Sequence, residues 1–169
     1  DTLAELDRFG LLLIEQPLQE DDLVDHASLA QRLRTPVCLD ESIVSSKAAA
    51  DALTLGSASV INIKAGRVGG YLEGVAIHDL CREAGVPVWC GGMLETGIGR
   101  APNVALAAPP GFTLPGDTSA SDRYYTTDLT EPFVLEDGHV RVPTGPGIGV
   151  DVISDVLESV VVSRTPIRL

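Results

Sequence analysis

LLLIEQP (residues 11–17), PVCLDES (36–42) and VINIKAG (60–66) repeat one event: a strand-like apolar run stops on a single charged side chain. Those side chains are Glu15, Asp40 and Lys64, at intervals of 25 and 24 residues. Such an interval holds one strand, one helix and two loops. The repeat therefore reads as successive βα units of a parallel α/β barrel, with the charges at the C-terminal strand ends where such barrels place their chemistry. Continuous apolar runs without alternation are what strands buried on both faces of a parallel sheet require.

The flanking sequence fills in the units. Leu11–Ile14 is the first strand, ended by Pro17. Asp21 or Asp22 can cap a helix whose Leu23, Ala27, Ala30 and Leu33 share one face. Val37–Leu39 follows Pro36 as the second strand. Ser45 or Ser46 opens an Ala-rich helix that stops at Gly56. Val60–Ile63 is the third strand, Tyr71–Ala84 a third helix closed by Gly85, and Val86–Trp89 a fourth strand. CGGMLETGIGRA (90–101) is a glycine-rich turn into an apolar helix through 104–108, and Phe112–Leu114 is a fifth strand. FVLEDGHVRV (133–142) alternates around Asp137-Gly138, which predicts a hairpin. Val152–Val162 is left as helix or strand.

A complete barrel of this type needs about 250 residues, against 169 here. The chain is therefore expected to be the C-terminal portion of an eightfold barrel, about strands 4 to 8, with a C-terminal hairpin and tail. Residues 1–120 would be barrel, and 121–169 a tail packing on the barrel and on a capping domain that the chain lacks. A smaller complete α/β domain is the alternative. The net charge of −12 argues against nucleic acid or an anionic membrane as partner, since phosphate binding needs clustered Lys and Arg. No apolar run reaches the roughly 18 residues of a membrane-spanning helix. The three cysteines, Cys38, Cys81 and Cys90, lack CxxC spacing and read as buried thiols of a reducing cytoplasm.

Carboxylates from adjacent strand ends suit a hard cation such as Mg²⁺, with Mn²⁺ or another divalent ion as substitute. Glu15 and Asp40 are thus candidate metal ligands, unless each merely caps the helix after it. A third protein ligand would lie upstream of Asp1. Lys64 is a candidate acid/base, if desolvation outweighs its carboxylate neighbours, or else a structural partner of Asp40 or Glu15. Asn62 shares the face of Lys64 by strand alternation, and either bonds the metal ligands or fills the barrel layer. Glu41 is either a supporting acid or a solvated loop residue. Arg67 either raises the positive potential near Lys64 or pairs with Glu73. Gly91, Gly92, Gly97 and Gly99 either let the backbone approach a ligand or make a tight turn without one, and Gly91, Gly92, Met93 and Glu95 are the expected substrate-binding stretch. No GxGxxG or P-loop pattern occurs. His26, His78 and His139 are scattered and read as structural or solvent-facing.

IEQP, LDES and NIKAGRVGG resemble the fourth-, fifth- and sixth-strand motifs of the enolase superfamily. WCGGMLETGIGRAPNVALA, FTLPGDTSASDRYY and TDLTEPFVLEDGHVRVPTGPGIGV resemble its o-succinylbenzoate synthase / N-acylamino acid racemase family over nearly the whole chain. The resemblance implies Glu15 and Asp40 as Mg²⁺ ligands and Lys64 as the sixth-strand catalytic lysine. It implies a small carboxylate substrate whose α-proton is removed to give an enediolate. Loss of water would then yield o-succinylbenzoate for menaquinone synthesis, and return of the proton from the other face would racemise an N-acylamino acid. Arg67 matches an arginine of members able to racemise. Dipeptide epimerase and muconate cycloisomerase share these strand ends and are alternatives. A non-catalytic half-barrel that assembles through its open sheet edge is the alternative of another class. The family's second-strand lysine pair, third-strand aspartate and cap have no counterpart here. The isolated chain is therefore expected to be inactive, and the full-length protein to be a homo-oligomer.

Overall fold

The computed structural model describes residues 2–167. The chain divides into two compact units, Asp1–Gly91 with Leu106–Asp117, and Gly92–Ala105 with Thr118–Leu169.

The first unit is built on four parallel strands in sequential order: β1 (Ile14–Glu15), β2 (Val37–Leu39), β3 (Val60–Ile63) and β4 (Val88–Cys90). Between them run α1 (Leu23–Ala30), α2 (Ser46–Leu55), the single turn α3 (Ala65–Val68) and α4 (Tyr71–Ala84). The register pairs Glu15 with Cys38, Cys38 with Val60, and Asn62 with Trp89. Strand alternation then sorts the side chains by face. Val37, Leu39, Ile61, Ile63, Val88 and Cys90 pack with the helices in the main core. On the other face Cys38, Val60 and Trp89 cluster with Leu13 and Leu114. Two residues beyond Leu13, Cys38 and Val60 stand Glu15, Asp40 and Asn62, so the period of two carries the polar residues onto that second face.

Local signals set the helix ends. The Asp22 side chain accepts from Asp25 N–H at 2.8 Å, and Ser45 Oγ from Ala48 N–H at 3.1 Å. Gly56 and Gly85 close α2 and α4 in the left-handed conformation. Glu73 of α4 accepts from Ser46 N–H at 2.6 Å, and that bond holds its carboxyl below the usual range. Asp7, from a 3₁₀ segment Leu3–Phe9, accepts from the backbone of Arg34 and Thr35 and from Thr35 Oγ1, which lowers its pKa and ties the segment to the loop before β2.

The strands depart from expectation where proline intervenes. β1 begins at Ile14 and not Leu11, because β2 starts only after Pro36; Ile14 N–H bonds the Pro36 carbonyl, and nothing upstream on β2 is left to pair. β4 runs Val88–Cys90, since Pro87 has no N–H to donate. The expected fifth strand is a single parallel bridge, Val88 to Phe112. The 3₁₀ segment and α3 were not anticipated from the sequence.

α5 (Gly97–Leu106), which lies in the second unit up to Ala105, starts seven residues earlier than the apolar run alone indicates, because Asp128 Oδ1 caps Gly97 N–H at 2.8 Å. Ala101, Val104 and Phe133 form that unit's core with Val140 and Val150. Asp128 also pairs with the buried Arg100 and accepts from Ser121 Oγ. The expected hairpin is present: β5 (Leu135–Glu136) pairs antiparallel with β6 (His139–Val140). Asp137 and Gly138 turn at φ +48° and +77°, as a two-residue hairpin loop needs. Val152–Val162 resolves into α6 (Ser154–Val160). Among the described residues no helix is long and apolar enough to cross a membrane.

Gln16 joins the first two strand ends. Its backbone sits at φ +39°, unusual for a residue with a Cβ. Its Oε1 accepts from Asp40 N–H at 2.9 Å and Ser42 N–H at 3.3 Å, and its Nε2 donates to Ser42 Oγ at 2.8 Å. Gln16→Ala should destabilise the chain by about 2 kcal/mol, since it strands two N–H groups. Gln16→Gly loses the same bonds but relieves the left-handed backbone, so it should be less harmful than alanine by about 1 kcal/mol. Urea denaturation of the two variants checks the order.

The three cysteines are buried and none forms a disulfide. Desolvation pushes the Cys38 thiol from 9.0 up to about 12; the Trp89 N–H opposes this, and Glu15 and Asp40 add to it. Desolvation alone lifts Cys81 to about 12. Above pH 9 the unfolded chain loses these protons and the folded chain keeps them. Their contribution to stability is thus complete below pH 9 and lost between pH 9 and 12, at about 1.4 kcal/mol per unit per thiol. Urea midpoints measured from pH 8 to 10.5 should fall less steeply for Cys38→Ala/Cys81→Ala than for the parent chain.

Candidate functional site

Parallel strands place their C-terminal ends side by side, and the first unit gathers its charged residues there. A cleft of about 430 Å³ is lined by Glu15, Gln16, Asp40, Glu41, Lys64 and Asp117. Asp40, 3% exposed, is the most deeply set of these. Lys64 Nζ donates to Asp40 Oδ2 at 2.8 Å. Arg67 donates through Nη1 to Oδ1 and through Nη2 to Oδ2. The Lys64 and Arg67 side chains are themselves only 15% and 21% exposed, so the carboxylate and its two cations meet largely out of water. A charge in such a place is tolerated only when paired and hydrogen-bonded.

Glu15 is exposed at the end of β1, and its Oε1 accepts from Asn62 Nδ2 at 2.8 Å. Of the two roles open to Asn62, bonding Glu15 is the one it takes, from a position with no exposure. Its Oδ1 is buried without a hydrogen-bond partner. Glu41 is solvated. Arg67 does not pair with Glu73: the single turn of α3 directs it back to Asp40, while Glu73 is held by Ser46.

Gly91 continues β4 and bonds the Ile63 carbonyl through its N–H at 3.1 Å. Gly92, Met93 and Glu95 belong to the second unit. There Glu95 Oε1 accepts from Met93 N–H at 2.8 Å and from Asn103 Nδ2 at 2.7 Å, closing its own loop, and Met93 is exposed. His26 is buried, accepting from Leu18 N–H and facing the Asp22 carbonyl; His78 stacks on Phe112; His139 bends back to the Asp137 carbonyl in the exposed hairpin.

Two cleft residues escaped the sequence reading. Gln16 is hidden because its role rests on a backbone turn that residue type does not announce. Asp117 had a signal, since FTLPGD ends an apolar run on a charged residue as the three earlier motifs do, with Pro115-Gly116 intervening.

The donor set suits a hard divalent cation in kind, offering carboxylate oxygens from neighbouring strand ends. In number it is partial. Among the described residues no group of three or more His, Cys, Asp or Glu is arranged to hold a metal, and both oxygens of Asp40 are engaged by Lys64 and Arg67. Glu15 and Asp40 therefore fit such an ion as part of its ligand shell.

The family model described as enolase C-terminal domain-like matches residues 1–156. An N-succinylamino acid racemase of an Amycolatopsis species is 65% identical over 162 residues, which cover 96% of this chain and 44% of that protein. The o-succinylbenzoate synthase of Geobacillus stearothermophilus is 60% identical over 153 residues, 90% of this chain and 41% of that one. A crystal structure of an enolase superfamily member from Listeria innocua matches with a TM-score of 0.90 and 46% identity, covering 94% of this chain and 43% of that chain. The chain spans less than half the length of these relatives. It belongs to the enolase C-terminal domain-like family, and its parallel α/β architecture is that of the family's barrel domain.

Proposed function

We propose that this chain is the acid- and lysine-bearing part of a divalent-metal-dependent barrel enzyme that removes a proton α to a carboxylate. Its main activity would be the carbon–oxygen lyase reaction of o-succinylbenzoate synthase, serving menaquinone synthesis, with N-acylamino acid racemisation as a second activity. The observation that carries this is the meeting of Lys64 with Asp40 in a cleft that Glu15 also lines. The names of the relatives, at 60% and 65% identity, favour this pair of activities. A chloromuconate cycloisomerase at 30% identity stands further off.

Glu15 and Asp40 would hold the cation, which supplies positive charge against the negative charge gathering on the substrate carboxylate as its α-proton leaves. The residues of this chain have separate tasks. Asn62 holds Glu15 through its amide. Asp40 fixes the Lys64 Nζ, and Arg67 balances the second carboxylate oxygen. In racemisation the neutral Lys64 amine takes the α-proton from one face, or its ammonium returns one. In dehydration the family's second-strand lysine, which these residues do not include, would take the α-proton. The C–H electron pair forms the new C=C bond, and the C–O bond breaks as that proton is delivered to the departing hydroxyl, which leaves as water. Lys64 stays protonated there and stabilises the charge. The carboxylates lining the cleft outnumber its cations, which favours uptake of a metal ion. Three buried thiols suit a reducing compartment, and we assign the protein to the cytoplasm.

In the full-length enzyme, Lys64→Ala should lower α-proton exchange of an N-succinylamino acid in D₂O by about 10²–10⁴-fold, the usual contribution of a general acid or base. Chelation of the divalent ion should abolish both exchange and dehydration. The isolated 169-residue chain, holding two metal-binding carboxylates and one lysine, should show neither activity with added Mg²⁺. Turnover by the isolated chain would contradict the partial-site reading, and an unimpaired Lys64→Ala enzyme would favour a non-catalytic half-barrel.

A further inference from the structure

We infer that Gly91 is a positioning residue for Lys64: the missing Cβ at the end of β4 is the slot in which the lysine stem and the Asn62 amide lie. A Cβ built at Gly91 would stand 2.4 Å from Asn62 Oδ1, 2.5 Å from Lys64 Cε and 2.7 Å from Lys64 Cγ. No real Cβ sits so close to another heavy atom, and these three neighbours are all side-chain atoms of the candidate site.

The register explains the encounter. Asn62 pairs with Trp89 and Ile63 with Cys90, so the next step along β3 and β4 sets Lys64 opposite Gly91. Trp89 points to the polar face of the sheet, and alternation turns position 91 to that face as well. Any residue with a side chain there would aim it into the space that Lys64 crosses to reach Asp40. Glycine is not used here for its backbone freedom, because Gly91 has no positive φ. What it provides is volume.

The cost of a side chain at position 91 would also fall in a defined place. The Gly91 N–H is bonded to Ile63, which fixes the backbone on that side. The obstructed atoms are the stem of a flexible lysine, at its Cγ and Cε, and the tip of an amide, side-chain atoms that yield more readily than paired strands. A methyl group at Gly91 would displace the ammonium from Asp40 and the amide from Glu15 while leaving the sheet paired. That this matters for turnover rests on the proposed role of Lys64. The positioning itself does not.

Lys47 and Lys64 are the chain's two lysines, which allows a direct test. Lys47 lies on α2 with its side chain 79% exposed and serves as the internal reference. The 169-residue chain and its Gly91→Ala variant are acylated with a limiting amine-reactive reagent, and the two sites are quantified by peptide mass spectrometry. Lys64 should react about tenfold faster in the variant, as expected for loss of one charge-assisted hydrogen bond, with the Lys47 rate and the circular dichroism spectrum unchanged. An unchanged Lys64 rate in a folded variant would overturn the inference, whether or not Lys64 moves protons. If Gly91→Ala does not fold, the same substitution is made in an Asn62→Ala/Lys64→Ala background, where the slot is empty. Recovery of folding there supports the inference, and failure to recover overturns it.

Discussion

The structure of the first unit depends on the carboxylate of Asp40. It lies at the end of β2, nearly out of water, and is gripped from two directions. Lys64 and Arg67 reach it from the end of β3 and the turn after it. Gln16, at the end of β1, takes its backbone N–H. Three adjacent strand ends are thus tied to one residue, the third by bonds made to its charge, the kind worth most when shielded from solvent, and the first through its backbone N–H. A buried carboxylate with fewer partners would neutralise or unfold its surroundings. The same bonds that satisfy Asp40 hold Lys64 where its amine faces the cleft, so packing and chemistry share one set of contacts.

Much of this was legible in the amino-acid order. Apolar runs of constant spacing located the strands, because a strand covered on both faces is apolar along most of its length. Asp22, Ser45, Gly56 and Gly85 marked helix ends through capping and left-handed closure, and Asp137-Gly138 marked the hairpin. The alternation that put Asn62 beside Lys64 was correct for a simple reason, the period of two along a strand. Other features depended on partners remote in sequence. β1 is short because Pro36, more than twenty residues away, delays β2. Arg67 turns to Asp40 and not to Glu73 because Ala65–Val68 coils into one helical turn. The part played by Gln16 follows from a positive φ that glutamine seldom adopts, and composition gives no hint of it.

Membership of the enolase C-terminal domain-like family accords with this geometry and also bounds it. The chain spans 44% and 41% of the racemase and the synthase it resembles. Within that span it carries carboxylates on two neighbouring strand ends and a lysine on the third, but no trio of acidic, histidine or cysteine side chains set to enclose a metal among the described residues. Its cleft has an excess of negative charge and hard oxygen donors, which is what a divalent cation would compensate.

The claim that Asp40 and Lys64 form one energetically coupled unit across neighbouring strand ends is tested most directly by a double-mutant cycle. Asp40→Asn, Lys64→Met and the double variant would be compared with the parent chain by urea denaturation. Asp40→Asn leaves Lys64 and Arg67 without their carboxylate and should destabilise the chain by about 3 kcal/mol. Lys64→Met leaves Asp40 with Arg67 and should cost less. The double variant should lose less than the sum by about 1–3 kcal/mol. Additivity within about 0.5 kcal/mol would show that the two side chains are neighbours without coupling, and would contradict the account.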